Sequence, residues 1–473
     1  MLFNSISYFL FFALVTAIYF ILPGRVRRVF LLVTSYLFYI LIGADHAVIL
    51  LAITLVSYVT GLKVGAAASA RARRIVLAGG MCANLAVLFI FKYLAFVSSA
   101  LQDLLSFTAL PWHIPGARII LPVGISFFTF RTISYLVDIY RGKLQPEKHF
   151  GTFALYVSFF PSLLAGPIDR AVKLLPQMRR EHLFDAERIC SGAQIILWGL
   201  FKKVVIADRL AMYVDSVYGN VMHHTGLSYI VATYFYTVQI YCDFSGYSDI
   251  AIGCARILGY DLMQNFNLPY FATTIGEFWR RWHISLSTWF RDYMYIPLGG
   301  NRKGQGRTLV NLLVTMLVCG VWHGAAWTFI VWGGLHGVML CLSRLTLSYR
   351  DAAYRALRVP QAAITILRTV ITFNIVAVLW IFFRAEKFSD AVYILQHLFS
   401  GWPKLFIDQL SLPYGVIFIA VLFVVELLQT RGPLQPRISS LPLPARWAVY
   451  WAVLFSIILF GVDGGSQFIY FQF

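Results

Sequence analysis

Long apolar runs separated by short polar turns make up most of this chain. A helix that crosses a bilayer needs about 20 mostly apolar residues. Candidate runs lie near residues 7–22, 30–42, 47–62, 75–97, 119–139, 189–206, 227–250, 308–342, 364–383, 413–429 and 447–462. The 308–342 run is too long for one span and predicts a hairpin or a bent pair. Several others are short, which predicts tilt or local thinning of the bilayer. No hydrophilic insert is large enough for a second domain, so residues 1–473 are expected to form a single all-α polytopic membrane domain. Tyr8–Leu22 has neither a basic flank before it nor a small-residue cleavage site after it, so it reads as a retained span rather than a signal peptide.

Composition sharpens this picture. Hydrophobic residues are 59% of the 473, against roughly 45–50% in soluble domains. Charged residues are 13%, about half the usual share of roughly 25%, and the mean hydropathy is +0.72. A water-soluble globule could not hide that much apolar surface, which excludes a soluble enzyme. The 39 Lys plus Arg against 21 Asp plus Glu give +18. They sit in short clusters between apolar runs (Arg25, Arg27, Arg28; Arg71, Arg73, Arg74; Arg302, Lys303, Arg307) rather than in a groove for nucleic acid. Such clusters orient a multi-pass protein of the bacterial inner (cytoplasmic) membrane. With 23–29 and 63–74 in the cytoplasm the N-terminus lies outside. The loops at 169–188, 299–307, 344–363 and 430–446 are then cytoplasmic, and the last span delivers the C-terminus to the outer face. Segment 150–167 breaks the alternation, because basic residues flank it on both sides. It reads as a re-entrant or interfacial piece, and such backbone survives at membrane depth only beside protein or a water-filled cavity. A cavity is therefore expected. The six cysteines are scattered with no C-x-x-C, which suggests neither a disulfide framework nor a metal site.

Polar residues inside apolar runs cost roughly 2.5–3.5 kcal/mol each at the bilayer centre, so each demands a reason. Residues 277–293, EFWRRWHISLSTWFRDY, carry Glu277, Arg280, Arg281, His283, Arg291 and Asp292. On a helix Glu277 meets Arg280 and Arg281 at i+3 and i+4. An interfacial helix with snorkelling arginines accounts for this run as readily as a re-entrant element ahead of Pro297, Gly299 and Gly300 does. His323 stands alone in VWHGAAWTFIVWGGLHG (321–337), beside Gly324, which would leave one side of the imidazole open to a ligand. In a soluble core a lone histidine is usually structural; within a membrane it points to a pathway or an active site, and a neutral imidazole suits a general base. His336 reads as packing. YCDFSGYSDIAIG (241–253) places Asp243 and Asp249 in an apolar run, where they either pair with Arg256, Arg280 or Arg281 or take part in chemistry. The aromatic tail at 467–473, ending FIYFQF, has Phe468, Tyr470 and Phe473 as an interface anchor or as a plug that presents the Tyr470 hydroxyl to a cavity.

FWRRWHISLSTWFRDYMYIPLGGNRKG (278–304), with YCDFSGYSDIAIG, NFNLPYF (265–271), VWHGAAW and the aromatic ending, resembles the membrane-bound O-acyltransferases over nearly the whole chain. Within them it looks like the bacterial branch that holds the alginate O-acetylation membrane protein, peptidoglycan O-acetyltransferases and the teichoic-acid D-alanyl transferase. The resemblance implies that family's fold, about 11–12 spans plus re-entrant helices around a central cavity. It also implies transfer of an acyl group, expected to be acetyl, from a cytoplasmic thioester. Acetyl-CoA would be a donor substrate, with no tightly bound cofactor. The product would be an O-acetylated extracytoplasmic polysaccharide such as alginate, with peptidoglycan or another exopolysaccharide as the alternative.

Position by position, the resemblance makes His323 the catalytic histidine and His283 the second motif histidine, orienting the donor or stabilising oxyanion charge. Arg280, Arg281, Arg302 and Lys303 become candidates for the CoA phosphates, and Tyr470 a candidate acyl carrier. With no soluble lobe and no G-D-S type hydrolase signature in these residues, a separate periplasmic acetyltransferase subunit is expected to complete transfer to polymer. The competing class is a transporter or flippase of donor or glycan, against which no inverted or parallel repeat is visible.

Overall fold

The computed structural model describes residues 3–106, 121–402, 404–462 and 468–469. Tyr470 and Phe473 lie outside the described residues. Among those described, every regular element is helical. Each apolar run appears as helix, and the 308–342 run folds as the expected hairpin, Gly304–His323 and Trp327–Ala356. Eight helices among the described residues are long and apolar enough to cross a membrane. Ile6–Ile21, Gly24–Ile40 and Ile125–Tyr140 are shorter, at 16, 17 and 16 residues. The 32-residue Gly226–Ile257 helix instead carries the polar residues Asp243, Asp249 and Arg256.

By backbone proximity the chain forms two compact units, Met1–Ala193 with Ala251–Met263, and Gln194–Ile250 with Gln264–Phe473. In the first unit, Asn84 ties three helices together. Its amide donates to Ser57 Oγ (3.2 Å) and Gly80 O (2.8 Å), and its oxygen accepts from Thr132 Oγ1 (2.9 Å). The 150–167 segment is broken into Phe150–Ser158 and Phe160–Leu163 and is almost wholly buried. A helix end leaves its last carbonyls unpaired. Here the buried Arg131 supplies the donors, to Tyr156 O at 3.1 Å, Val157 O at 3.2 Å and Ser162 Oγ at 2.9 Å. Broken backbone survives in a buried setting only where such partners meet its polar groups. Nearby, Asp169 accepts the Met263 N–H at 2.9 Å, and burial pushes its carboxyl up to about 6 against the pull of that hydrogen bond and of Arg131.

In the second unit the hairpin closes on two glycines. A Cβ on Gly333 would lie 2.4 Å from Met316 O and 2.9 Å from Gly320 Cα, and one on Gly320 would lie 2.3 Å from Phe329 O. Apolar side chains gain little by leaving lipid, so helices there associate through close backbone approach at small residues. That approach sets Trp332 beside His323.

Two expectations follow. Gly333→Ala must push the hairpin apart and should cost about 1–3 kcal/mol. Its neighbour Gly334→Ala, whose Cβ meets only Leu317 Cδ2 at 3.2 Å, should be neutral or stabilising, since alanine favours helix by roughly 0.5–1 kcal/mol. Thermal unfolding of the two purified variants compares them directly. The second concerns Asp169. Its raised pKa means the fold favours the protonated acid, so its contribution to stability is greatest below about pH 4 and fades as pH rises through about 6. Asp169→Asn should flatten the stability–pH curve across that window, by on the order of 2 kcal/mol, read from unfolding midpoints measured as a function of pH.

Candidate functional site

The helix expected to run on from Glu277 stops at Trp282–His283, leaving Ile275–Arg281 and Ile284–Phe290 on either side. The first of these is capped by Thr274, whose hydroxyl accepts the Glu277 N–H at 3.1 Å. Glu277 reaches back to the Thr273 N–H and hydroxyl (2.8 and 2.7 Å) and pairs with Arg281 at 2.7 Å, the predicted i,i+4 partner. Burial opposes its charge, but these partners outweigh it and hold the carboxyl below the usual range.

His283 itself has φ +41°, a left-handed backbone that non-glycine residues rarely adopt and that stores about 1–3 kcal/mol. Asn265 enforces it. Its carbonyl accepts the Ile284 N–H (2.8 Å), its side-chain oxygen accepts the Ser285 N–H (3.2 Å) and hydroxyl (2.9 Å), and its amide donates to Ser248 Oγ (3.0 Å). The buried imidazole is thereby held edge-on to Phe244 at 4.5 Å and 6.2 Å from the Trp322 ring.

His323 ends its helix and is also buried. Its ring contacts Trp322 (4.9 Å), Trp332 (5.0 Å) and Phe383 (5.4 Å). Trp322 thus packs against both motif histidines. The space beside Gly324 is taken by Phe329, whose ring would lie 2.2 Å from a Cβ there, so this glycine admits a packing aromatic and does not open a side for a ligand. His336 also packs on Trp332 (4.8 Å), and its Nδ1 accepts from Trp279 Nε1 at 3.3 Å. The indole can only donate, which fixes the tautomer with the proton on Nε2. Of the basic candidates, Arg281 is engaged with Glu277. Arg280, Arg302 and Lys303 are exposed.

The carboxylates of the Gly226–Ile257 helix find partners that the sequence reading did not name. They pair with lysines rather than with Arg256, Arg280 or Arg281. Lys203 Nζ lies 2.6 Å from Asp243 and 2.8 Å from Asp208, all three buried. Lys202 Nζ lies 2.7 Å from Asp249 and 2.9 Å from Ser245 Oγ. Arg256 instead meets Asp261. On a regular α-helix adjacent residues point about 100° apart, but Phe201–Ala207 is a π-helical turn, and the widened turn lets both lysines reach the same neighbouring helix. The helices come close because Gly199 and Gly246 face each other, each Cβ position 2.7 Å from the other's carbonyl oxygen. Adjacent lysines in a hydrophobic run were the available signal, since a membrane-embedded lysine needs a counter-charge.

A cavity of about 490 Å³ lies in this unit. Polar Tyr236, Gln239, Thr328, Glu386 and the Arg384–Asp215 ion pair (2.7 Å) line it, and Ile469 borders it. His323 does not line it, but Ala325, Ala326 and Phe329 just beyond it do.

A model of the membrane-bound O-acyltransferase family matches residues 147–383, which include both histidines and the lysine–aspartate network. A probable alginate O-acetylase of Azotobacter vinelandii is 42% identical over 406 residues, covering 84% of this chain and 78% of that protein. One from Pseudomonas aeruginosa is 41% identical over 400 residues, covering 84% and 74%. A peptidoglycan O-acetyltransferase of Helicobacter pylori is 36% identical over 415 residues, covering 80% and 76%.

The clamp on His283 makes a graded expectation. Asn265→Ala removes three buried side-chain hydrogen bonds and should cost about 2–4 kcal/mol, whereas Ser248→Ala, which removes one, should cost about 1 kcal/mol. Thermal unfolding of the purified variants ranks them; equal costs would mean that Asn265 does not hold this turn.

Proposed function

This chain belongs to the membrane-bound O-acyltransferase family, and from that premise we propose that it takes an acetyl group from a cytoplasmic thioester such as acetyl-CoA and passes it towards an extracytoplasmic polysaccharide such as alginate, at the bacterial cytoplasmic membrane. The observation that carries the reading is the pair of buried histidines packed on Trp322, one of them held in a strained backbone by Asn265. Relatives that modify alginate or peptidoglycan at oxygen support the choice of polymer.

His323 acts as general base. It takes the proton of an attacking hydroxyl as that oxygen bonds to the thioester carbonyl carbon. The tetrahedral intermediate collapses with cleavage of the C–S bond, and the thiolate leaves as CoA, recovering the proton from the imidazolium. His283, held in place by Asn265, donates a hydrogen bond to the developing oxyanion or the donor carbonyl. Arg302 and Lys303, in the turn that the charge rule makes cytoplasmic, meet the phosphates of CoA together with the exposed Arg280. The attacking hydroxyl is that of Tyr470, whose phenol has a pKa of about 10 and leaves an ester more readily than a sugar alkoxide does. A separate periplasmic subunit carries the group on to polymer.

The test is the intact and peptide mass of the purified protein after incubation with acetyl-CoA, beside His323→Ala. Wild type should carry one acetyl mass on the C-terminal peptide. His323→Ala should still bind CoA but turn over roughly 10²–10⁴-fold more slowly. CoA release with no label would keep the acyltransferase and discard the tyrosyl relay. Undiminished turnover in His323→Ala would remove that histidine from the mechanism.

A further inference from the structure

Phe468 and Ile469 are buried in a place built from one turn of the Gly226–Ile257 helix. Phe468 packs on Tyr247 at 4.4 Å and on Phe244 at 5.5 Å. The Ile469 N–H donates to Asp243 Oδ2 at 2.8 Å, while Asp243 Oδ1 lies 2.6 Å from Lys203 Nζ. One carboxylate therefore links the end of the chain to a buried cation. Lys203 is in turn held by Asp208 and stands over the Tyr247 ring at 5.5 Å. A hydrogen bond to a charged acceptor in a dry setting is about twice as strong as a neutral one. The same few residues touch both sides of the chemistry, because Phe244 contacts Phe468 and the His283 ring, and Ile469 borders the cavity.

We propose that Asp243 is a positioning residue for the acyl-transfer step: its carboxylate, polarised by Lys203, grips the Ile469 N–H and so holds the chain where it borders the cavity, one position before Tyr470. This rests on the tyrosyl relay of the preceding section. It gives the lysine–aspartate network a role beyond neutralising its own charges.

The bond can be removed from either end. Ile469→Pro deletes the donor and leaves every buried charge untouched, while Ile469→Ala keeps the donor and loses a similar side chain. From the other end, Lys203→Met/Asp243→Asn keeps an acceptor, and Lys203→Met/Asp243→Leu does not; both leave Asp208 in the same altered setting. Two readouts apply to each protein: trimming by carboxypeptidase Y followed by intact mass, and acetyl-CoA-dependent CoA release with KM and kcat separated. Within each pair the variant lacking the bond should be trimmed roughly tenfold faster and have kcat roughly tenfold lower at an unchanged donor KM. Ile469→Pro added to Lys203→Met/Asp243→Leu should change neither readout further, because both remove one interaction. Equal behaviour within the pairs, or full additivity between the two ends, would overturn the proposal. If the wild-type tail takes no acetyl mass, the relay reading fails by itself. Trimming and kcat in the Ile469 pair then decide whether Asp243 still positions the chain end for turnover.

Discussion

Lys203 brings an ammonium group into a part of the protein where water cannot solvate it, and much of the second unit is arranged to tolerate that charge. An isolated buried charge costs several kcal/mol even after relaxation, and removing one partner of a buried pair typically costs about 3–5 kcal/mol. Two carboxylates, Asp208 and Asp243, flank the cation within 2.8 Å. For Asp243 to be one of them, the two helices must approach at Gly199 and Gly246, where no Cβ fits. For Lys202 to be satisfied as well, on Asp249 and Ser245, the helix must widen into a π-turn. Another buried acid, Glu426, accepts from the Tyr241 hydroxyl, and Lys202 stands over that same ring. Each device answers the same requirement: buried charge must be met within the protein.

The same constraint explains how irregular backbone is handled. In the first unit the break at Phe159 leaves carbonyls that Arg131 must satisfy. In the second, the break at His283 exposes N–H groups that Asn265 accepts. In both cases a single polar residue from another part of the sequence substitutes for the missing turn, Arg131 through its side chain and Asn265 through both its carbonyl and its side chain. The motif NFNLPYF is thus a structural counterpart of the histidine motif.

Most of the elements were legible in the sequence because lipid imposes a length and polarity rule that apolar runs obey plainly. The 308–342 hairpin and the Glu277–Arg281 pair both follow from local pattern. What was not legible depended on long-range partners. The sequence sought arginines for Asp243 and Asp249, whereas the π-turn brought adjacent lysines to them. It ran a helix through His283 because neither glycine nor proline marks a break there, and the force that breaks it comes from Asn265, eighteen residues upstream. Gly324 reads in isolation as an opening beside His323, and only the fold reveals that Phe329 fills it. The two histidines stood out because ionisable groups are rare in such surroundings; their common contact with Trp322 did not, since spacing along two separate helices says nothing about which faces meet.

A rigid surround suits the chemistry of an imidazole base. His323 and His336 both pack on Trp332, and His336 is fixed in one tautomer by the Trp279 N–H. A base that must take a proton and return it within one turnover gains from neighbours that cannot reorganise around its charge. Aromatic rings supply such a setting, since they exclude water and have few rotamers. Many charged groups of this unit have partners of their own. They line the cavity beyond Ala325 and Ala326, or are tied up in the lysine–aspartate network. The arrangement has a physical logic: the ion pairs set positions, and aromatic rings pack the imidazole proposed as the base.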